Sequence, residues 1–303
     1  MTRGECGGRG EVERLLGMRT LRTGFRLTAA LFLGAAPPLW AQADSGLALR
    51  AIRFYEPDSR LTQVTAFVRI PYGMMKPVSG TGGEHLRFAL SLRVVGDSGR
   101  TLYSQQWTRQ TPPPAPGREN GLDMIRFALD AGSYHLEARV VDSTSGREAV
   151  RSVPLHAWAR QPVVSDLLLS RALRLAAPGD TIPQAGEVRR GNVLLAAGAE
   201  VSIPVSVPYL FYLFETYLDA EASGTVEIRI LDSAGEVVQE AMGRPLMVGV
   251  GVSALTGQLE VGGLSPGAYS VQASIGLGDR VFVRSAEFGI GSPGKHWSMN
   301  NDQ

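Results

Sequence analysis

From residue 44 onward the chain alternates. Apolar residues fall at every second position in 61–70 (LTQVTAFVRI), 85–95 (HLRFALSLRVV), 133–142 (SYHLEARVVD), 225–232 (TVEIRILD) and 269–276 (YSVQASIG). Successive side chains of a strand point to opposite faces, so this period marks strands with one face buried. Turn residues interrupt the runs at intervals of roughly ten residues, the spacing of an all-β sandwich or barrel. One stretch with helix-like spacing, 167–175 (LLLSRALRL), reads as a strand followed by a loop.

The alternation is written twice. FALSLRVVGDSGRTLYSQQW followed by FALDAGSYHLEARVVDSTSG has a counterpart in GTVEIRILDSAGEVVQEAMG followed by LEVGGLSPGAYSVQASIGLG. In each copy a strand enters a turn of Asp-Ser-x-Gly type, Asp97-Ser98-Gly99 and Asp232-Ser233-Ala234-Gly235, and leaves as a hairpin. Each copy then reaches a Leu, a small turn with Gly, and a Tyr opening the next alternating run: Leu129, Gly132, Ser133, Tyr134 and Leu264, Gly267, Ala268, Tyr269. A Tyr in that position is similar to the tyrosine corner of Greek-key sandwiches, whose hydroxyl bonds back to upstream backbone. The fold expected is all-β: two tandem Ig/fibronectin-III-like antiparallel β-sandwich domains after an N-terminal signal peptide. The boundaries expected are 1–43 for extension and signal, 44–158 and 162–290 for the sandwiches, and 291–303 for a disordered tail. The sandwiches would be separable and meet at 156–164 (HAWARQPVV), where Pro162 resists regular structure. The proline-rich 111–120 (TPPPAPGREN) reads as an exposed loop inside the first sandwich.

The repeat decides the meaning of Gly96-Asp97-Ser98-Gly99, the tetrapeptide that surrounds the nucleophile of trypsin-like serine proteases. Its counterpart is Asp232-Ser233-Ala234-Gly235, and Asp142 to Gly146 does the same work after the next strand. Asp and Ser bond their own backbone in turns and Gly supplies positive φ. His85 stands only 13 positions upstream on the strand leading in, and Arg100 replaces the second Gly that an oxyanion hole needs. Ser98 is therefore a turn residue.

The N-terminus has the order of an export signal, starting at Met18. Arg19, Arg22 and Arg26 precede a short apolar run, Leu27 to Ala36, and Ala41-Gln42-Ala43 fits a signal peptidase site. The run is too short for a membrane span, which takes roughly 20 residues. No cysteine follows it to carry a lipid. Cleavage after Ala43 removes six arginines and three glutamates from 30 basic and 29 acidic residues, leaving 24 and 26. It also removes Cys6, the single cysteine, and with it any disulfide or thiolate site. That balance argues against nucleic acid or an anionic membrane surface as partner.

No residue set selects a catalytic, cofactor or metal site. His85, His135, His156 and His296 lack metal-ligand spacing. The 249–254 stretch (GVGVSA) echoes a dinucleotide fingerprint without its βαβ setting. Glu56, Asp58, Glu215, Asp219 and Glu221 are scattered, and nothing pairs two of them for glycoside hydrolysis. The distinctive stretch is 207–218 (VPYLFYLFETYL), apolar on both faces and so a strand covered on both sides. The face with Tyr209, Phe211, Leu213 and Tyr217 is expected to line the second core. Tyr212 and Phe214 would then meet the first sandwich or a partner.

Three stretches make the second half similar to the region preceding the GWxTD motif in bacterial GWxTD-domain proteins. They are Val164 to Leu169, the aromatic Leu210 to Tyr217, and Leu264-Ser265-Pro266-Gly267-Ala268-Tyr269. The pentapeptide itself is absent. The resemblance implies export and sandwich architecture and brings no catalytic residues. The function expected is non-enzymatic: an exported, periplasmic or extracellular protein that binds or scaffolds, with an envelope protein or a glycan as partner. The alternatives are a glycan-binding accessory module and, more distantly, a carboxylate-based hydrolase.

Overall fold

The computed structural model describes residues 46–116, 119–177, 183 and 186–291. The expected signal, with Met18 and Ala43, and residues 292–303 of the expected tail lie outside them. Among the described residues the regular structure is β throughout, apart from one 3-10 turn at Tyr72–Met74. No helix among them is long and apolar enough to cross a membrane.

The N-terminal half is built from β1 (Ala48–Glu56), β2 (Leu61–Pro71), β3 (Val78–Gly80), β4 (Gly83–Gly96), β5 (Thr101–Thr111), β6 (Asn120–Leu129), β7 (Gly132–Asp142) and β8 (Glu148–Ala157). One antiparallel sheet has the order β1-β2-β6, and the other runs β5-β4-β7-β8 with β3 beside the start of β4. Alternation decides what lies between them. Val64, Ala66, Val68 and Ile70 of β2 face Leu86, Phe88, Leu90, Leu92 and Val94 of β4 and Leu136, Ala138 and Val140 of β7. This is a sandwich with one core.

The C-terminal half repeats the arrangement. Its strands are β9 (Leu168–Ser170), β10 (Leu173–Leu175), β11 (Glu187–Arg190), β12 (Val193–Ala196), β13 (Ser202–Ile203), β14 (Tyr209–Leu218), β15 (Ala222–Asp232), β16 (Val237–Val248), β17 (Gly251–Glu260), β18 (Gly267–Leu277) and β19 (Arg280–Ile290). The order β9-β14-β17 matches β1-β2-β6, and β16-β15-β18-β19 matches β5-β4-β7-β8, with β13 added in parallel to β19. A second core lies between these sheets, from Val164 to Ile290.

The turn chemistry follows the sequence. Gly99, Gly146 and Gly235 take φ of 77°, 73° and 81° at the ends of β4, β7 and β15. Asp232 Oδ1 accepts from the N–H groups of Ala234 and Glu236. Asp142 accepts from Thr144 and Ser145, and these bonds hold its carboxyl below the usual range even though burial opposes that shift. The tyrosine corners close as expected. Tyr134 donates to Asp130 O at 2.9 Å and Tyr269 to Ser265 O at 2.8 Å, each four residues upstream. Ser98 is an exposed residue of the β4–β5 hairpin.

The halves differ between their first and second strands. In place of a short turn, the C-terminal half carries β10, β11 and β12, a small sheet of order β10-β12-β11. The stretch 167–175, expected as strand then loop, is strand, two-residue kink at Arg171 and Ala172, and second strand. Ser170 Oγ accepts from the Ala172 N–H and lies 2.6 Å from both Ala172 O and Ala196 O, which share its one proton, and so holds the kink.

Candidate functional site

The alternating strand β1 has two apolar faces. Leu47 and Leu49 face their own core, while Ala48, Ile52 and Phe54 face the other way. Those three, with Phe67 of β2, pack on Leu168, Val188, Val193, Leu195, Ala199 and Leu213 from the second half. The outer face of β1 and β2 is thus buried under the second sandwich and its inserted sheet, while the outward residues Leu122, Arg126 and Ala128 of β6 stay exposed. The contact expected near 156–164 extends over the outer residues of β1 and β2.

A polar network borders this shared core. Arg53 grips Asp166 with both ends of its guanidinium, Nη2 to Oδ1 at 2.7 Å and Nε to Oδ2 at 2.9 Å. Its backbone N–H reaches the same carboxylate at 2.8 Å, and its C=O accepts from the Asp166 N–H at 3.2 Å. Arg53 Nη1 donates to His156 O, and the guanidinium lies 4.8 Å from the Trp158 ring centre. Burial works against the charged arginine, but its hydrogen bonds to Asp166 and the carboxylate charge outweigh it and leave its pKa above the usual value. Beside it the Tyr217 hydroxyl accepts from the Tyr55 N–H at 2.8 Å and donates to Glu215 Oε2 at 2.7 Å. Arg190, the last residue of β11, stacks its guanidinium 3.6 Å from the Phe54 ring centre and sets Nε 3.7 Å from Glu215 Oε1. Burial raises the pKa of Glu215 and Tyr217 and lowers that of Arg190.

Strand β14 supplies both cores, with its faces the reverse of the expected ones. Leu210, Tyr212 and Phe214 lie in the second core; Leu213 faces the first sandwich, and Tyr209 is exposed at the strand end. Tyr212 and Phe214 are 7% and 1% exposed, so neither offers a partner contact. The polar atoms decide the orientation. Turned inward, Glu215 and the Tyr217 hydroxyl would sit unpaired in an apolar core, at about 1–3 kcal/mol or more. Turned outward they meet Tyr55 and Arg190. Gly257 adds a steric reason, because the Tyr212 ring lies across the space where a Cβ would stand.

The remaining sequence candidates stay apart. His85, His135 and His156 lie on β4, β7 and β8, and no cluster of metal-binding side chains occurs among the described residues. His296 lies outside the described residues. Glu56 and Asp58 border the β1–β2 turn, Asp219 and Glu221 the β14–β15 turn, and Glu215 is buried at the joint. The 249–254 stretch runs from the link after β16 into β17, a strand of the other sheet, and has no helix beside it among the described residues.

Sequence reasoning missed Arg53, Asp166, Tyr55 and Arg190. One signal was present: Glu187 to Ala196 reads as two short runs around Gly191-Asn192, a two-residue hairpin, and Gly191 takes φ 57° there.

No family model matches the chain, and no curated protein matches it. Among solved structures, red sea bream transglutaminase aligns at 8% identity and a TM-score of 0.25, over 80% of this chain and 31% of that one. A calcium-binding mutant of Bacteroides uniformis β-glucuronidase 2 aligns at 12% and 0.27, over 75% and 26%. A Parabacteroides merdae β-glucuronidase aligns at 9% and 0.24, over 75% and 28%. The chain therefore spans between about a quarter and a third of the length of these chains.

Proposed function

We propose that the chain is an exported, non-enzymatic scaffold that holds two sandwiches as one stiff body and presents their outer surfaces to an envelope protein. One observation carries the reading. The acid, base and tyrosine at the joint face one another and the first half: Glu215 is 5% exposed, with Tyr217 and Arg190 beside it, and those two reach Tyr55 and Phe54 of the first half. A catalytic carboxylate needs a cleft where its reacting atom meets substrate, and this one faces packed side chains. The two β-sandwiches are in keeping with a binding or accessory module. Export rests on the succession of basic residues, apolar run and cleavage-site pattern in the sequence of residues 18–43. The likeness to the region preceding GWxTD is part of the same proposal. Its three stretches fall at β9, along β14 and in the tyrosine corner before β18, elements that build the second core and the joint.

The test has two arms. Intact mass of the protein from the envelope fraction should correspond to a chain beginning at Asp44; a mass that retains Leu27–Ala36 sinks the export reading. Glycoside and ester substrate panels should give no turnover. Turnover that disappears in Glu215→Gln while the melting profile is kept would overturn the scaffold reading.

A further inference from the structure

A sheet edge exposes unpaired backbone N–H and C=O groups and invites another strand, so exported β proteins blunt their edges with charge, proline, bulges, short strands or covering segments. Nearly every long edge here carries such a device. The outer edge of β1 is closed by the second sandwich, with Arg53 N–H, Arg53 C=O and Tyr55 N–H all bonded across the joint. Strand β6 carries Asp123 and Arg126 and lies beside the insertion, Leu122 against Gly186 and Gly198. Strand β5 carries Arg109 and borders a register shift at Val94/Val95. Strand β8 contains Pro154, Glu148 and Arg151. Strand β16 contains Pro245, Glu240 and Arg244 and has two register shifts against β15. The edge strands β9 and β13 are three and two residues long.

Strand β17 has none of these. It pairs with β14 over ten consecutive positions without a shift, and among the described residues its other edge carries no strand. Its sequence, GVSALTGQLE, contains no proline, and its one charge is the terminal Glu260. Its outward side chains, Val252, Ala254, Thr256 and Gln258, are exposed, with exposed Val250 just before them. The counterpart of β17 in the first sandwich is β6, charged and flanked. The protection is therefore missing at one of two equivalent places.

We infer that β17 is the contact through which two copies of this chain pair, antiparallel and edge to edge, joining β9-β14-β17 to its copy as one six-stranded sheet. The occupant is a second copy because the strand is self-complementary. A two-fold axis through Leu255 sets Leu255 opposite itself, Ala254 opposite Thr256 and Val252 opposite Gln258, while Glu260 falls opposite Val250. No like charges oppose each other, and opposition of that kind is what makes antiparallel self-pairing unfavourable. Identical edges related by a two-fold form a closed, isologous contact and leave no free edge to propagate a fibre. The inference does not depend on the scaffold reading.

Sedimentation equilibrium of the full chain over a concentration series tests it. Wild type should approach twice the chain mass. The double variant Ala254→Lys, Thr256→Lys places lysines directly opposite each other in the pair, on side chains that are exposed in the single chain. It should raise the dimer Kd by roughly tenfold or more and keep the wild-type circular dichroism. Val281→Lys with Val283→Lys, on the outward face of β19, should leave the Kd unchanged. Amide exchange over 251–260 in wild type should slow as concentration rises, a readout that needs no variant. The inference is overturned by a wild type that stays monomeric throughout, by 251–260 exchange independent of concentration, or by a dimer that the β19 lysines dissociate and the β17 lysines do not. A monomer whose β17 edge is protected only when a strand from another protein is added overturns it as well.

Discussion

In the first sandwich the chain passes from β1 to β2 through residues 57–60, a tight turn in which Arg60 takes φ 58°. In the second, the equivalent passage from β9 to β14 runs through 171–208 and carries an extra sheet. All else that the halves share, from strand order to tyrosine corner, makes them alike; this connection makes them unequal partners. The first sandwich offers the outer face of β1 and β2, with Phe54 and Phe67 fully buried there. The second sandwich covers it, with Val188, Val193, Leu195 and Arg190 from the insertion and Leu213 from β14. A turn of four residues buries almost nothing, whereas an inserted hairpin converts a chain of two beads into a body with three cores.

The largest effect should come from challenging that inequality at Phe54. Phe54→Ala empties the shared core, and Phe214→Ala empties the second core; each should cost about 3–5 kcal/mol. Chemical denaturation checks the size. The two variants should part in a second measurement. Limited proteolysis of Phe54→Ala should cut early at 158–163, because the joint loses its apolar contact, whereas Phe214→Ala should melt without that early nick. A Phe54→Ala cost under about 1 kcal/mol would mean that the halves are merely adjacent.

The sequence carried the repeat plainly, because alternation and turn chemistry are local properties. The hydrogen bonds of Tyr134 and Tyr269 are legible in the sequence, since the corner needs only a Tyr, a preceding turn and a strand. The joint was not legible in the same way. Arg53 and Asp166 stand 113 positions apart, and no periodicity links them. On β14 both faces were apolar, so hydrophobicity could not choose between them. The choice was made by Glu215 and Tyr217, whose partners Tyr55 and Arg190 come from distant parts of the chain. Arg190 sits at the end of a hairpin whose Gly191-Asn192 turn is a recognisable signal, but where that hairpin docks is a tertiary fact.

The likeness of the halves can be measured at a smaller scale. Tyr134→Phe and Tyr269→Phe each remove one hydroxyl that bonds a carbonyl four residues upstream, at 2.9 and 2.8 Å. Each should cost about 1 kcal/mol, the net worth of one such bond. Urea titration of both variants should give equal shifts within experimental spread. A loss confined to one of them would show that the two corners, alike in geometry, do different work.

The smallest effect concerns pH, and it has no counterpart in the first half. The carboxyl of Glu215 is held above its ordinary value of 4.5 by burial, with Arg190 and the Tyr217 hydroxyl acting in the opposite direction and Glu56 adding to the rise. The folded chain therefore takes up the Glu215 proton at a higher pH than the unfolded chain does. Stability changes with pH in proportion to the difference in bound protons between the two states. Between the raised folded value and 4.5 the folded state holds more protons, so this group's contribution becomes more favourable as pH falls through that window. Below it both states are protonated and the contribution is constant. Glu215→Gln has no proton to gain, so wild type should become more stable relative to this variant on mild acidification. Melting both proteins at a series of pH values and taking the difference reads out the exchange of this carboxyl for an amide. A difference that runs the other way would mean that Arg190 dominates Glu215 as an ion-pair partner, and that the joint is held by charge more than by the apolar face beneath it.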